Sequence, residues 1–101
     1  LGYVYENVVA QILLAKGNNL FYYTMESDTS HHLYEIDFLI SKGDKISPIE
    51  VKSGNYRSHK SLDVFCVKFS SRIKDKYVVH TKDYKWENGI HYIPVYMLPF
   101  I

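Results

Sequence analysis

The sequence contains little cysteine, proline or net charge, and it has no long uninterrupted apolar run. Its one cysteine, Cys66, cannot form an internal disulfide, which excludes a disulfide-stapled secreted scaffold and favours a reducing cytoplasm. The longest apolar run, residues 93–101, contains two prolines and is too short to span a bilayer. The five histidines do not fall at the spacings of zinc fingers or zinc proteases, so a four-ligand zinc site is not indicated. These absences predict a cytoplasmic protein that has no membrane segment.

The composition is that of one small folded domain. A length of 101 residues leaves room for a single core and excludes a complete ATPase, polymerase or other multidomain machine. The hydrophobic fraction of 47% and the aromatic fraction of 16% exclude a disordered chain. We therefore expect residues 1–101 to form one domain. Because residue 1 is not methionine and already belongs to a helical pattern, we expect this domain to be part of a larger protein.

Hydrophobic periodicity predicts an α/β fold. Apolar residues recur at helical spacing in two segments, and shorter segments between and after them are aromatic-rich or alternate between apolar and polar residues. The predicted elements are a helix over residues 1–16, strands over 20–25, 33–40 and 46–52, a helix over 58–73, a strand over 77–80, a polar turn region over 81–89, and a strand with an irregular tail over 92–101. The order α-β-β-β-α-β indicates a mixed sheet flanked by helices.

The second and third predicted strands form a β-hairpin. Residues 41–45 contain Gly43 and Asp44, which favour a tight turn. Pro48 in the return strand indicates an edge position or a strand start, because proline cannot donate a backbone hydrogen bond. In the strand before the turn, alternation with a period of two predicts one apolar face made of Tyr34, Ile36, Phe38 and Ile40.

This hairpin brings two acids and a lysine to one face of the sheet. Twelve residues separate Asp37 from Glu50, and Lys52 follows two positions later. With the turn centred on Gly43 and Asp44, Asp37 lies opposite Glu50, and the strand period places Lys52 on the same face as Glu50. Opposed carboxylates repel each other, and a hard cation such as Mg²⁺ relieves that repulsion. A lysine beside the cation can activate water or stabilise charge that develops on a phosphate.

The same residues carry a resemblance to a known superfamily. The spacing Asp-x12-Glu-x-Lys across a hairpin resembles the PD-(D/E)XK nucleases. Three segments, GYVYEN at residues 2–7, EIDFLI at 35–40 and PIEVKSG at 48–54, look like the uncharacterised C-terminal domain that follows the ATPase module in many bacterial and archaeal AAA-type ATPases. The resemblance covers residues 2 to about 80. It implies a restriction-endonuclease-like core of helix, three meandering strands, helix and strand.

The resemblance also implies a metal-dependent nuclease site. By this resemblance Asp37 and Glu50 are metal ligands and Lys52 is the catalytic lysine, with Mg²⁺ or Mn²⁺ as the cofactor. The backbone carbonyl of Val51 takes a further ligand position. Glu6 matches the acidic residue on the first helix that completes many of these sites.

The implied activity is hydrolysis of DNA phosphodiester bonds, as an endonuclease or an exonuclease. The implied partners are DNA and an ATPase module in the same parent chain, to which this domain is attached at the C-terminal side. Ile36 rather than proline precedes Asp37, a departure that is common in divergent members of the superfamily. Nucleases of this type often pair, which leaves a homodimer open.

Charge is distributed unevenly along the chain, although the formal net charge is only +1. Residues 1–51 carry a net charge of −4 and residues 52–101 carry a net charge of +5. The positive half includes Arg57 and Lys60, in the loop and helix that follow the acidic hairpin. A basic surface beside a metal site suits the phosphate backbone of DNA, so we expect Arg57 and Lys60 to bind nucleic acid. Simple solvation of the outer face of the helix is the alternative.

Three other interpretations of these residues stay open. In the first, Asp37, Glu50 and Lys52 form a cross-strand ion pair on a solvated sheet face, and Glu6 is an ordinary exposed helix residue. In the second, the nuclease fold is catalytically silent and serves to bind DNA or protein. In the third, the domain is purely structural, and its aromatic tail packs on another part of the parent protein.

Overall fold

The fold consists of two α-helices and one sheet. The computed structural model describes residues 2–19, 21–26, 33–52, 59–80 and 82–101. The elements are α1 (Gly2–Ala15), β1 (Phe21–Glu26), β2 (Leu33–Lys42), β3 (Lys45–Val51), α2 (Lys60–Lys68), β4 (Tyr77–His80), β5 (Lys85–Glu87) and β6 (Ile90–Pro94), with 3-10 helices at Ser70–Arg72 and Val95–Phe100. None of the helices in these segments has the length and apolar content needed to cross a membrane.

The six strands form one mixed sheet in the order β1-β2-β3-β4-β6-β5. β2 pairs antiparallel with both β1 and β3, and β4 pairs in parallel with both β3 and β6. β5 adds an antiparallel edge strand to β6. The β2–β3 turn lies at Gly43 and Asp44 as predicted, and Gly43 has the positive φ of +67° that tight hairpin turns require. The predicted α/β class with a mixed sheet is confirmed.

The two helices cover opposite faces of the sheet. One buried cluster, the α1 core, contains Val9, Leu13, Ile40, Ile49, Tyr77, Val79, Ile93 and Leu98. The second, the α2 core, contains Met25, Ile36, Leu62, Phe65, Cys66, Val78, Ile90 and Tyr92. Val79 belongs to the α1 core and its neighbour Val78 to the α2 core. Because successive strand residues point to opposite faces, the two cores lie on the two sides of the sheet. The result is a three-layer arrangement with α1 on one side and α2 on the other.

The predicted apolar face of the strand before the turn is wrong, because β2 contains a β-bulge. The register of the β1–β2 pair shifts at Tyr22, so that two β2 residues, Asp37 and Phe38, lie opposite this one β1 residue. Ile36 before the bulge belongs to the α2 core, whereas Ile40 after it belongs to the α1 core. One strand therefore supplies apolar residues to both layers, and the change of face occurs at Asp37.

The edge position indicated by Pro48 is also wrong, since β3 lies between β2 and β4. The carbonyl of Ile46 and the N–H of Lys52 both bond to residues on the β4 side, so the even-numbered residues of β3 direct their backbone groups towards β4. The nitrogen of Pro48 points the same way, but the ladder with β4 begins only at Ile49. Proline is tolerated here because no ladder bond is required from its nitrogen.

After β3, the structure differs from the predicted elements in α2, in the turn region and in the tail. α2 ends at Lys68, and a 3-10 turn follows it before Ile73 forms a bridge with Ile46. The predicted polar turn region contains the short strand β5. This strand was not predicted because Trp86 lies between two charged residues, a pattern that also suits a loop. The tail after β6 is a 3-10 helix that buries Leu98 in the α1 core.

Two neighbouring leucines test the buried face of α1. Leu13 is 0% exposed, whereas Leu14 is 56% exposed. We expect Leu13→Ala to lower the free energy of unfolding by about 2–5 kcal/mol, because the substitution leaves a cavity in the α1 core. Leu14→Ala is the matched control and should change it by less than about 0.5 kcal/mol. Urea denaturation followed by circular dichroism measures both values, and equal losses would contradict this packing of α1.

Candidate active site

The candidate site begins where β2 and β3 separate. Phe38 and Ile49 are the last paired residues of the hairpin, and one step further the register places Asp37 opposite Glu50, as predicted. At this point the N–H of Val51 donates to Oδ2 of Asp37 over 2.8 Å. The aspartate side chain therefore takes the place of a main-chain partner at the end of the ladder.

Glu50 is the most buried acid of the site. It is only 6% exposed, and alternation along β3 directs it to the opposite face from Ile49, towards α2. Nζ of Lys52 lies 3.8 Å from Oε1 of Glu50. Oε2 of Glu50 is buried and has no hydrogen-bond partner in the part of the chain that the structure describes. A buried carboxylate oxygen in this state is costly, and it marks a place for a donor or a cation.

One cavity of about 270 Å³ joins these groups. It is lined by Glu6, Glu35, Asp37, Glu50, Val51, Lys52 and Ser61. Glu6 comes from α1 and Ser61 comes from α2, so the cavity opens at the end of the hairpin between the two helical layers. The structure thus brings all the predicted ligand and catalytic residues to one cavity.

Burial raises the pKa of both central carboxyls. Desolvation is the main reason that the pKa of Asp37 rises from 3.8 to about 6, against the opposing hydrogen bond from Val51. The negative charge of Glu6 raises the pKa of Asp37 further. Desolvation likewise raises the pKa of Glu50 from 4.5 to about 7, although the charge of Lys52 opposes the rise. Both acids therefore titrate close to neutral pH rather than near pH 4.

The oxygen atoms of this cavity suit a hard divalent cation. Mg²⁺ typically takes one or two carboxylates and keeps several waters, and Asp37, Glu50 and the carbonyl of Val51 offer ligands of this kind. The buried Oε2 of Glu50 is the atom that most needs such a partner. Among the described residues, no group of three or more His, Cys, Asp or Glu side chains is arranged to hold a metal ion. Glu6 therefore lines the cavity wall without completing a three-carboxylate cluster.

The first turn of α2 is fixed beside the cavity by His59. Its Nε2 lies 2.7 Å from the hydroxyl of Tyr92 in β6, and its Nδ1 lies 2.9 Å from Oδ1 of Asp63. The sequence pattern does not assign these residues to the site. The spacing of four between His59 and Asp63 on a predicted helix was a usable signal, whereas the contact with Tyr92 depends on the packing of α2 against the sheet.

Ser61 and Glu35 are cavity residues that the sequence pattern did not assign to the site. The N–H of Glu35 donates to Oγ of Ser61 over 3.3 Å, which ties α2 to β2. The hydroxyl of Ser61 still has its own proton to donate. Glu35 is exposed at the cavity rim.

The two predicted nucleic-acid-binding residues have different outcomes. Lys60 is exposed at the first position of α2, directly before Ser61 in the chain. Arg57 lies outside the described residues. Lys60 therefore adds a positive charge next to a residue that lines the acidic cavity.

The family of the chain follows from a comparison with protein-family models. Residues 1–98 match the model described as Domain of unknown function (DUF4143). The chain belongs to this family. A search of curated proteins finds no match. The match of the DUF4143 domain includes both helices, the β2–β3 hairpin and every residue that lines the cavity.

The raised pKa of Glu50 predicts that this DUF4143 domain loses stability as the pH rises. Between about pH 4.5 and 7 the folded state keeps a proton that the unfolded state releases, so increasing pH favours unfolding. We expect Glu50→Gln, which cannot ionise, to exceed the parent protein in stability by about 1–3 kcal/mol near pH 8, and by little near pH 4.

The matched control is Glu87→Gln. Glu87 forms an ion pair with Lys85 over 2.7 Å, and both side chains are 39% exposed. A surface pair contributes little, so its stability difference should not grow with pH. Urea denaturation at several pH values measures both variants. A Glu50→Gln difference that stays constant with pH would contradict the buried ionisation of Glu50.

Proposed function

We propose that this DUF4143 domain is a Mg²⁺-dependent phosphodiester hydrolase that acts on DNA. The observation that carries the proposal is the pair of desolvated carboxyls, Asp37 and Glu50, that share one cavity with Lys52. A purely structural sheet avoids such a pair, because repulsion and desolvation both cost stability. Carboxyls perturbed in this way cluster at functional sites. The ion pair on a solvated face, considered from the sequence, does not fit a glutamate that is 6% exposed.

The groups that line the cavity support a proposal of phosphoryl chemistry. Hydrolysis joins a water oxygen to phosphorus and releases one ester oxygen, while negative charge builds on the phosphate. A divalent cation held by Asp37, Glu50 and the carbonyl of Val51 would polarise the phosphate and lower the pKa of the attacking water. Lys52 supplies a positive charge beside Glu50, where it stabilises the charge on the phosphate. The N–H of Val51 holds Oδ2 of Asp37 and so fixes the orientation of that carboxylate.

DNA is proposed as the substrate because of the charge near the cavity. The segment that starts at Lys52 carries a net charge of +5, and its first described helix begins with the exposed Lys60. Positive charge of this kind attracts a phosphate backbone. The resemblance to the C-terminal domain of AAA-type ATPases adds an ATPase module in the same parent chain to the proposal.

Titration with Mn²⁺ tests the metal site. A protonated carboxyl is a poor ligand, and the pKa values of about 6 and about 7 mean that Asp37 and Glu50 lose their protons as the pH rises through this range. We expect calorimetry to show Mn²⁺ binding that is at least about tenfold tighter near pH 8 than near pH 5.5. Asp37→Asn should abolish binding, whereas Asp44→Asn in the exposed turn should not. Binding that survives Asp37→Asn would contradict the site.

Cleavage of DNA tests the reaction. With Mg²⁺ or Mn²⁺ present, we expect the domain to cleave single-stranded, duplex or branched DNA. Lys52→Ala should lower the turnover rate by about 100- to 1000-fold, because it removes a positive group that stabilises the transition state. Lys45→Ala is the matched control, since this exposed lysine is the first residue of β3, whereas Lys52 directly follows the last residue of that strand. Metal binding without cleavage of any of these substrates would favour the catalytically silent module over the hydrolase.

A further inference from the structure

Tyr22 is an exposed aromatic residue next to the candidate site. It lies on β1 opposite the bulge that contains Asp37 and Phe38. Neighbouring strands in a sheet are about 4.8 Å apart, so its ring begins one strand away from a proposed metal ligand. Its exposed fraction is 61%, which is far from what an aromatic residue of the core would show.

Tyr22 lies on the side of the cavity. The negative charge of Glu35, which lines the cavity rim, acts on its hydroxyl, and so do the charges of Asp37 and Glu6. The next residue, Tyr23, turns the other way and packs edge-on against Phe65 with ring centroids 5.3 Å apart. Alternation along β1 therefore directs the ring of Tyr22 to the opposite face of the sheet from Tyr23, where it is largely exposed.

An exposed aromatic ring one strand away from Asp37 offers a stacking surface for a nucleobase. Stacking of bases on such rings is a general means of binding single-stranded nucleic acid, and it depends little on base identity. In a duplex the faces of the bases are already stacked on each other, and extruding a base has a free-energy cost. Consider a nucleotide whose phosphate lies in the cavity. The ring of Tyr22, close to Asp37, can stack on the base of this nucleotide only when that base is unpaired.

We infer that Tyr22 stacks on an unpaired base beside the phosphate in the cavity, and that the preferred substrate is single-stranded DNA. This inference rests on the proposed function, because it assumes that a phosphate enters the cavity. It adds a substrate class and a specificity residue that neither the acid-lysine pattern nor the family match contains.

Equilibrium binding tests the inference without relying on turnover. Fluorescence anisotropy measures the affinity for one labelled oligonucleotide, as a single strand and as a duplex, with Ca²⁺ as a probe cation for oxygen ligands. We expect the single strand to bind more tightly than the duplex. Tyr22→Ala should weaken single-strand binding by about 5- to 150-fold, whereas Tyr22→Phe keeps the ring and should stay within about twofold.

Tyr96→Ala is the matched control, since Tyr96 is an exposed tyrosine (68%) on the 3-10 helix after β6 and does not line the cavity. It should leave both affinities unchanged. Thermal unfolding of each variant shows whether weaker binding reflects loss of the stacking contact or loss of the folded state. If Tyr22→Ala is destabilised, Tyr22→Leu replaces it, because leucine keeps the bulk of the side chain without an aromatic face.

The outcomes for the inference and for the proposed function are distinct. If the parent protein cleaves DNA but Tyr22→Ala and Tyr22→Leu bind and cleave as well as it does, the hydrolase stands and the stacking role is overturned. If duplex binds as tightly as single strand, the substrate class is overturned. If no DNA is cleaved but single-strand binding depends on the ring of Tyr22, the stacking role stands and the hydrolase falls. If no DNA is bound, both are overturned.

Discussion

The hydrogen bond from the N–H of Val51 to the carboxylate of Asp37 is the contact on which the site depends. It replaces a rung of the β2–β3 ladder with a side chain, and it occurs where β2 bulges and changes face. A bulge re-aims side chains and ends pairing. Here it separates two strands without leaving the Val51 N–H unsatisfied, and the cavity occupies the space between them. An asparagine at this position could accept the same bond, but it would bring no negative charge to the cavity.

The cavity combines features that oppose folding with features that favour chemistry. Asp37 and Glu50 have pKa values of about 6 and about 7 because the two helical layers remove water from them. The nearby Lys52 offsets part of this cost for Glu50, but its Nζ is 3.8 Å from Oε1 and leaves Oε2 without a partner among the described residues. Such a site fits the general trade of stability for function. The apolar clusters on both faces of the sheet supply the stability that the carboxyls remove.

The facing of Asp37 and Glu50 could be predicted from the sequence because a short turn and a strand period of two fix register over a hairpin. The bulge could not be predicted, since Ile36 and Phe38 are apolar and suit either face of a sheet that is buried on both sides. Pro48 suggested an edge strand because the sequence shows that proline has no N–H. The sequence does not show that the β3–β4 ladder begins only after Pro48, since that depends on how the distant strand β4 packs. Ser61 joins the site through a contact between elements that are distant in sequence, and no local pattern records such a contact. The role of Glu6 as a ligand stays a prediction.

Glu50 lies on the β2–β3 hairpin, but its protonation depends on another part of the chain. A turn at Gly43 and Asp44 is enough to bring Asp37 and Glu50 together, whereas the α2 layer covers the face on which Glu50 lies. A fluctuation that lifts α2 would let water reach Glu50 while the hairpin stays paired, because small domains open locally as well as globally. The carboxyl would then lose its proton near neutral pH without unfolding of the sheet. The ionisation of this one buried glutamate would therefore depend on whether the second helix is docked.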